Sequence, residues 1–486
     1  MDIHISLEGR RDLAGQIYRQ FRDAILDGRL AAGQTLPPSR ELSRRLAVSR
    51  NTVGVAYDRL SGEGFIETRA GAGTYVCDHS GAPARPGPQP ASQELRQHPR
   101  WSIPPPRWNA VGRPPARATT TYDFRVGVPD VTLFPFETWR RFVSRELRLS
   151  ALRTAAYGES AGHEGLRAAI ARHVGVSRGV KADADAVIVT SGAQQAIDLI
   201  ARGLLEPGDR VAVEEPGYPP PRLLMHSLGA RVSPVRVDSQ GLVVEDLPDD
   251  TRLIYVSPAH QFPLGMPMSL PRRIELLAWA GQHDAAIIED DYDSEFRFGG
   301  RPIETLSALD TQGRVLYVGT FSKTMLPAIR LGFVIAPKSV RRALRLAKYV
   351  SDLHSPLATQ AALAHFIDEG LLARHIRKMR TEYMSRHERV LQVLAGQGDW
   401  LRPIESAAGM HLTALLPRGR HLSPGDVLER TDGSGVAVNS LAAFYAADAT
   451  ESGLVLGYGA IPRHQIEDGL QLLRRLLDGS QPPASG

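Results

Sequence analysis

Cysteine is almost missing from the 486 residues: Cys77 stands alone, so no intramolecular disulfide and no cysteine-rich zinc site can form, and no metal centre is expected. Such a chain suits a reducing cytoplasm, with Cys77 read as a small apolar residue. Lysine is scarce too. Of 58 basic residues only Lys181, Lys323, Lys338, Lys348 and Lys378 are lysines, which leaves few candidates for chemistry at an amine. No apolar run is long enough to cross a bilayer, which excludes a membrane protein, and Met1-Asp2-Ile3-His4-Ile5-Ser6 lacks the basic-then-apolar order of an export signal. A cytoplasmic protein of two to four folded units is expected, at about 150 residues per domain.

The formal charge of +5 is unevenly spread. Residues 1–121 hold 17 Arg and 11 acidic residues, net +6, and the remainder is close to neutral. That asymmetry points to a nucleic-acid contact confined to the N-terminal quarter. Residues 78–121 carry ten prolines and six arginines with almost no aliphatic periodicity, a composition that cannot build a core and reads as a linker. The domain reading is therefore 1–77, a linker over 78–121, and a second domain over 122–486.

Before the linker, Leu13, Ile17, Phe21 and Ile25 recur every four positions on one helix face. A second helix follows Pro37-Pro38, with Ser39 as its expected N-cap. Ser49 is expected to cap a third, whose stripe Val53, Ala56, Tyr57 and Leu60 faces inward. Residues 65–69 and 74–77 read as strands around a glycine-rich tip. Three helices and a hairpin make a winged helix-turn-helix, in which the first turn of the third helix enters the major groove. That turn is Ser49-Arg50-Asn51-Thr52: Arg pairs with guanine, Asn with adenine, and hydroxyls with phosphate. Ser39 and Arg40 start the supporting helix beside the backbone, and Arg69, Gly71 and Gly73 of the wing approach the minor groove. The partner implied is double-stranded DNA.

The runs Gly33-Gln34-Thr35-Leu36-Pro37-Pro38-Ser39-Arg40, Leu46-Ala47-Val48-Ser49-Arg50-Asn51-Thr52 and Gly71-Ala72-Gly73-Thr74-Tyr75-Val76 resemble the GntR family of bacterial regulators over residues 10–77. The resemblance carries DNA contact onto Arg40, Arg50, Asn51, Thr52 and Gly73.

After the linker, apolar runs at 186–189, 210–213, 253–256, 285–288 and 315–318 alternate with helical patterns and read as buried parallel strands of an α/β sheet. Ligands gather at the C-terminal ends of such strands. There the sequence offers a glycine turn opening a helix (Ser191, Gly192, Ala193), an aromatic ring (Tyr218), a carboxylate and phenol (Asp290, Tyr292), and Ser322-Lys323 with Arg330 beyond. Singly, Asp290 is explained as a helix cap, Lys323 as a surface residue and Arg330 as an ion-pair partner. Together they suit pyridoxal 5′-phosphate, with Lys323 forming the Schiff base, Asp290 holding the pyridine nitrogen protonated, Tyr292 bonding the phenolate, and Ser322 and Arg330 neutralising the phosphate.

These segments resemble fold type I aminotransferases over residues 122–480, and their order after a GntR-like domain matches the MocR subfamily. The fold implied is a mainly parallel central sheet with a smaller α+β subdomain. The resemblance makes Tyr218 the stacking ring, Ser191, Gly192 and Ala193 phosphate ligands, and Tyr157 the tyrosine lent to the neighbouring subunit's phosphate, hence a homodimer. Two departures stand out: His260-Gln261-Phe262-Pro263-Leu264-Gly265 replaces the usual asparagine turn and marks His260 and Gln261 as effector-pocket candidates, and Leu454 occupies the place of the arginine that clamps a substrate carboxylate. The resulting expectation is a transcription regulator that senses an amine or pyridoxal phosphate itself, with little turnover. The alternative is a working aminotransferase with a DNA-binding appendage.

Overall fold

The computed structural model describes residues 5–9, 11–69, 71–78, 120–149, 157–299, 304–406 and 408–478. Nearly all of the segment read as a linker lies outside them. The chain separates into two compact units, Met1–Ile103 and Pro104–Gly486.

In the first unit α1 (Leu13–Leu26), β1 (Thr35–Leu36), α2 (Ser39–Arg45), α3 (Arg50–Gly62), β2 (Ile66–Arg69) and β3 (Gly73–Val76) enclose one core. The inward stripe of α3 is Val53, Ala56, Tyr57 and Leu60, as its spacing requires. The wing gains a third strand, because β1 pairs antiparallel with β3 to give the order β1-β3-β2. Ser39 is not the cap of α2. Pro38, extended at φ −55° and ψ 140°, holds that position without a side-chain bond, and Ser39 is the first helical residue. The turn between α2 and α3 passes through Ala47 at φ +53°, and Tyr57 of α3 donates 2.8 Å to the Pro37 carbonyl, which fixes the start of α2 against α3.

The second unit runs β4 (Tyr122–Phe124), α4 (Phe136–Leu149), α5 (Glu164–Arg178), β5 (Val187–Thr190), α6 (Ala193–Leu204), β6 (Arg210–Glu215), α7 (Pro219–Ser227), β7 (Arg231–Asp238), β8 (Gly241–Leu242), β9 (Thr251–Val256), α8 (Leu270–Gln282), β10 (Ala286–Asp291), α9 (Leu306–Leu309), β11 (Val315–Thr320) and β12 (Gly332–Ile335). It continues through α10 (Arg341–Asp352), α11 (Leu357–Asp368), α12 (Leu371–Ala395), β13 (Arg402–Pro403), β14 (His411–Leu415), α13 (Pro424–Thr431), β15 (Val436–Ser440), β16 (Gly453–Gly457) and α14 (Ile466–Asp478). The large sheet has the order β5-β12-β11-β10-β9-β6-β7-β8, with helices packed on a core of buried Val, Ile and Leu. All five expected strands are present and share one direction.

They are not all neighbours, however, because β12 lies antiparallel between β5 and β11. A parallel return needs a crossover of a dozen or more residues, usually helical. The link from Thr320 to Gly332 holds only a short 3-10 turn, so the chain returns antiparallel. A separate five-stranded sheet, β13-β14-β16-β15-β4, packs with α12 and α14 as the smaller subdomain. Among the described residues no helix is long and apolar enough to cross a membrane.

Candidate functional site

A cavity of about 400 Å³ opens where β10 and β11 end and the loops after β5 and β6 converge. Its wall includes Ala193, Tyr218, Asp290, Tyr292, Ser322, Lys323 and Arg330, seven of the residues singled out from sequence. Strand alternation chooses among three consecutive acids on β10. Glu289 turns to Arg273 and the N-terminus of α9, Asp291 turns to Arg178, and Asp290 between them faces the cavity.

Asp290 is 3% exposed. Its Oδ2 accepts from the Tyr255 hydroxyl at 2.6 Å, and its Oδ1 is buried without a partner. Burial raises this carboxyl to about 6, against the Tyr255 bond and the nearby Lys323 charge. The Lys323 amine donates 2.6 Å to the Gly127 carbonyl across the cavity. Burial, with Asp293 next, holds the Tyr292 phenol well above its ordinary value; it therefore stays protonated and donates 2.9 Å to the His260 carbonyl.

The helix α6 starts at Gly192, whose φ of +83° suits glycine, and no side chain caps it, so its first N–H groups stay open. A Cβ at Gly192 would lie 2.8 Å from the Arg330 guanidinium, which crosses this helix end and donates 2.6 Å to the Ser191 carbonyl. Arg330 is itself held at φ +52°. Ser322 bonds Thr320 at 3.1 Å. Tyr218 holds the N-cap position of α7 without a side-chain bond and meets Phe262 edge-on at 5.4 Å. Tyr157 lies outside this cavity, 84% exposed, with its ring 6.1 Å from that of His354.

His260 and Gln261 are placed behind the wall rather than on it, each 1% exposed. Gln261 spends its amide on the Pro216 and Phe262 carbonyls and on the Leu264 N–H, bracing the turn. His260 pairs through Nδ1 with Asp293 at 2.9 Å. The imidazole that does reach the cavity is His411 on β14, which burial holds well below its ordinary value and so neutral. Sequence reading missed it, along with Tyr255 on β9, because only the pairing and packing of strands brings them to the wall; Gln194, also missed, reaches it from the first turn of α6 beside Ala193. Leu454 is fully buried in the smaller subdomain's core, and its neighbour Val455 packs in the cluster that contains Phe262. Among the described residues the lysines and arginines on the cavity wall are Lys323 and Arg330.

In the first unit Ser49 caps α3 by accepting from the Thr52 N–H, and its hydroxyl meets that of Thr52 at 2.7 Å. Arg50 and Asn51 are exposed ahead of the inward stripe, Thr52 is half-buried, and Arg40 is exposed at the start of α2 beside half-buried Ser39. Arg69 lies over the Tyr75 ring at 4.9 Å and pairs with Glu67, while Gly71 and Gly73 turn the wing at φ +77° and +116°.

The family described as aminotransferase class I and II matches residues 124–443, and the bacterial regulatory proteins of the gntR family match residues 13–76. The probable rhizopine catabolism regulatory protein MocR of Rhizobium meliloti is 38% identical over 466 residues, 94% of this chain and 92% of that protein. The pyridoxine biosynthesis transcriptional regulator PdxR of Corynebacterium glutamicum is 33% identical over 447 residues, 92% of this chain and 91% of its own. Among solved structures, kynurenine aminotransferase of Pyrococcus horikoshii in complex with PMP superposes with a TM-score of 0.68 at 28% identity, over 75% of this chain and 92% of that one.

Proposed function

The chain belongs to the MocR subfamily of GntR regulators, a GntR helix-turn-helix joined to an aminotransferase class I and II domain, and on that premise we propose that its second domain reads an amine or the cofactor itself and passes the result to the DNA-binding unit. The observation that carries this reading is a cavity furnished for a cofactor but without a carboxylate clamp: Lys323 and unpartnered Asp290 Oδ1 face it, and no arginine of β16 does. The domain boundaries proposed are 1–77, 78–121 and 122–486, the protein acting in the cytoplasm as a homodimer to which Tyr157 is lent across the interface.

The aminotransferase fold implies pyridoxal 5′-phosphate, and the residues present fit it. Asp290 Oδ1 wants a proton donor, and a ring nitrogen carrying a proton supplies one. The open N–H groups of α6 with Arg330, Ser191 and Ser322 suit a phosphate. Lys323 would hold the cofactor's carbonyl carbon, Tyr218 would cover one ring face, and Tyr292 would present its hydroxyl proton toward the ring oxygen. Bound, the cofactor supplies an electrophilic carbon for amines and an electron-withdrawing ring.

A simple amino acid needs a cation to orient its α-carboxylate, and Leu454 offers none. The effector proposed is therefore a ligand without an α-carboxylate, or pyridoxal phosphate itself. Gel-shift titration of cofactor-free and cofactor-loaded protein should give operator affinities differing by about 1–3 kcal/mol, a difference that Lys323→Ala blunts. The same variant should lose the visible band that borohydride fixes onto Lys323. Rapid multiple-turnover transamination of a common amino acid, with DNA binding indifferent to cofactor, would overturn the proposal.

A further inference from the structure

Behind Ser191 the chain builds a closed ring of polar contacts that begins with a lysine no catalytic role uses. Lys348 on α10 is fully buried. Its ammonium pairs with Asp352 one helical turn on and donates 3.3 Å to the Ser355 hydroxyl. Ser355, 3% exposed, lies 3.1 Å from the Ser191 hydroxyl. A second arm returns from Ser191: its N–H donates 2.8 Å to Gln195 Oε1, and Gln195 Nε2 donates 2.8 Å to Asp352. Both arms meet at the Lys348–Asp352 pair.

Proton direction gives the ring its use. An ammonium can only donate, whereas a hydroxyl donates one proton and accepts others. Ser355 accepts from Lys348, and the 3.1 Å contact between the Ser355 and Ser191 hydroxyls admits either as donor; the relay takes Ser355 as the donor to Ser191 Oγ. Ser191 Oγ, already accepting, has its proton left for a third group. The amide arm points the same way, since Asp352 can only accept. Burying a lysine merely to tie α10 to α6 would carry a desolvation cost that a leucine would avoid; the directed relay is what the charge adds.

We infer that Lys348 and Asp352 are positioning residues for the phosphate end of the cofactor, holding Ser191 so that its hydroxyl proton, rather than a lone pair, meets the anion. This rests on the proposed reading of Ser191 and α6 as the phosphate seat. A ligand lacking phosphate should not feel the relay.

The test compares equilibrium binding of pyridoxal phosphate and of phosphate-free pyridoxal to the full chain by absorbance titration. In Lys348→Met, and in Ser355→Ala, which breaks the relay and leaves the ion pair intact, pyridoxal phosphate should weaken about tenfold while pyridoxal stays within about twofold, the loss of one charge-assisted hydrogen bond. If Lys348→Met fails to fold, Ser355→Ala decides alone. Equal weakening of both ligands, or no change in either, would overturn the inference and leave the cofactor reading standing. Failure of the wild-type chain to bind pyridoxal phosphate would overturn the reading of the seat, and the inference with it.

Discussion

Replacing Asp290 by asparagine isolates the buried carboxyl on which the cofactor reading depends. Burial raises this group from 3.8 to about 6 in the folded protein. That rise corresponds to about 3 kcal/mol. The sign follows from where the proton leaves first. As pH rises from about 4, the unfolded chain gives up the Asp290 proton while the folded chain keeps it, so folding loses stability across that window and the full cost is present above about pH 6. Asparagine has no such titration. Urea unfolding of cofactor-free protein should therefore find the variant gaining about 3 kcal/mol on the wild type between about pH 4 and pH 7. Glu289, raised by burial to about 7, is common to the two proteins and drops out of the difference, whereas Glu214, raised chiefly by burial and also by the Asp290 charge, is raised less in the variant and adds to its gain. Four of the five tryptophans fall within the second unit, so intrinsic fluorescence chiefly follows it. Bound cofactor should reverse the ranking, because a protonated ring nitrogen pairs with aspartate and not with asparagine. A difference independent of pH would refute the argument.

Gly192→Ala would place a methyl 2.8 Å from the Arg330 guanidinium at a φ of +83°, so pyridoxal phosphate affinity should fall with the fold retained, as read by absorbance titration and circular dichroism. Arg50→Ala should weaken operator binding by about 1–3 kcal/mol in gel-shift titration if the side chain reads a base, and lower affinity for all sequences alike if it meets phosphate; cofactor content should not change. Ala47→Gly relieves a residue at φ +53° in the turn between α2 and α3, and calorimetry should show the first unit's melting temperature rise by the equivalent of under about 1 kcal/mol; a fall would mean that the turn carries no strain.

What the sequence determined by itself was local. The stripe and Ser49 cap of α3 follow from a 3.6-residue period and a side chain reaching three residues along, and both forces act within one helix. The five strand runs and the polar residues at their ends were legible for the same reason, and a period of two already separates Asp290 from its acidic neighbours. Tertiary structure decided whatever depends on partners distant in the chain. Ser39 lost its capping role to Pro38, whose extended backbone ends one residue earlier. The strand β12 inserted antiparallel because the chain from β11 was too short to cross over. Gln261 turned inward to satisfy backbone groups of its own tight turn, while His411, 150 residues on, took the place at the cavity wall. The Lys348 ring joins residues from α6, α10 and the loop after it, more than 150 positions apart. Its cause is the need to compensate a buried charge, and no spacing along the sequence records where that compensation will be found.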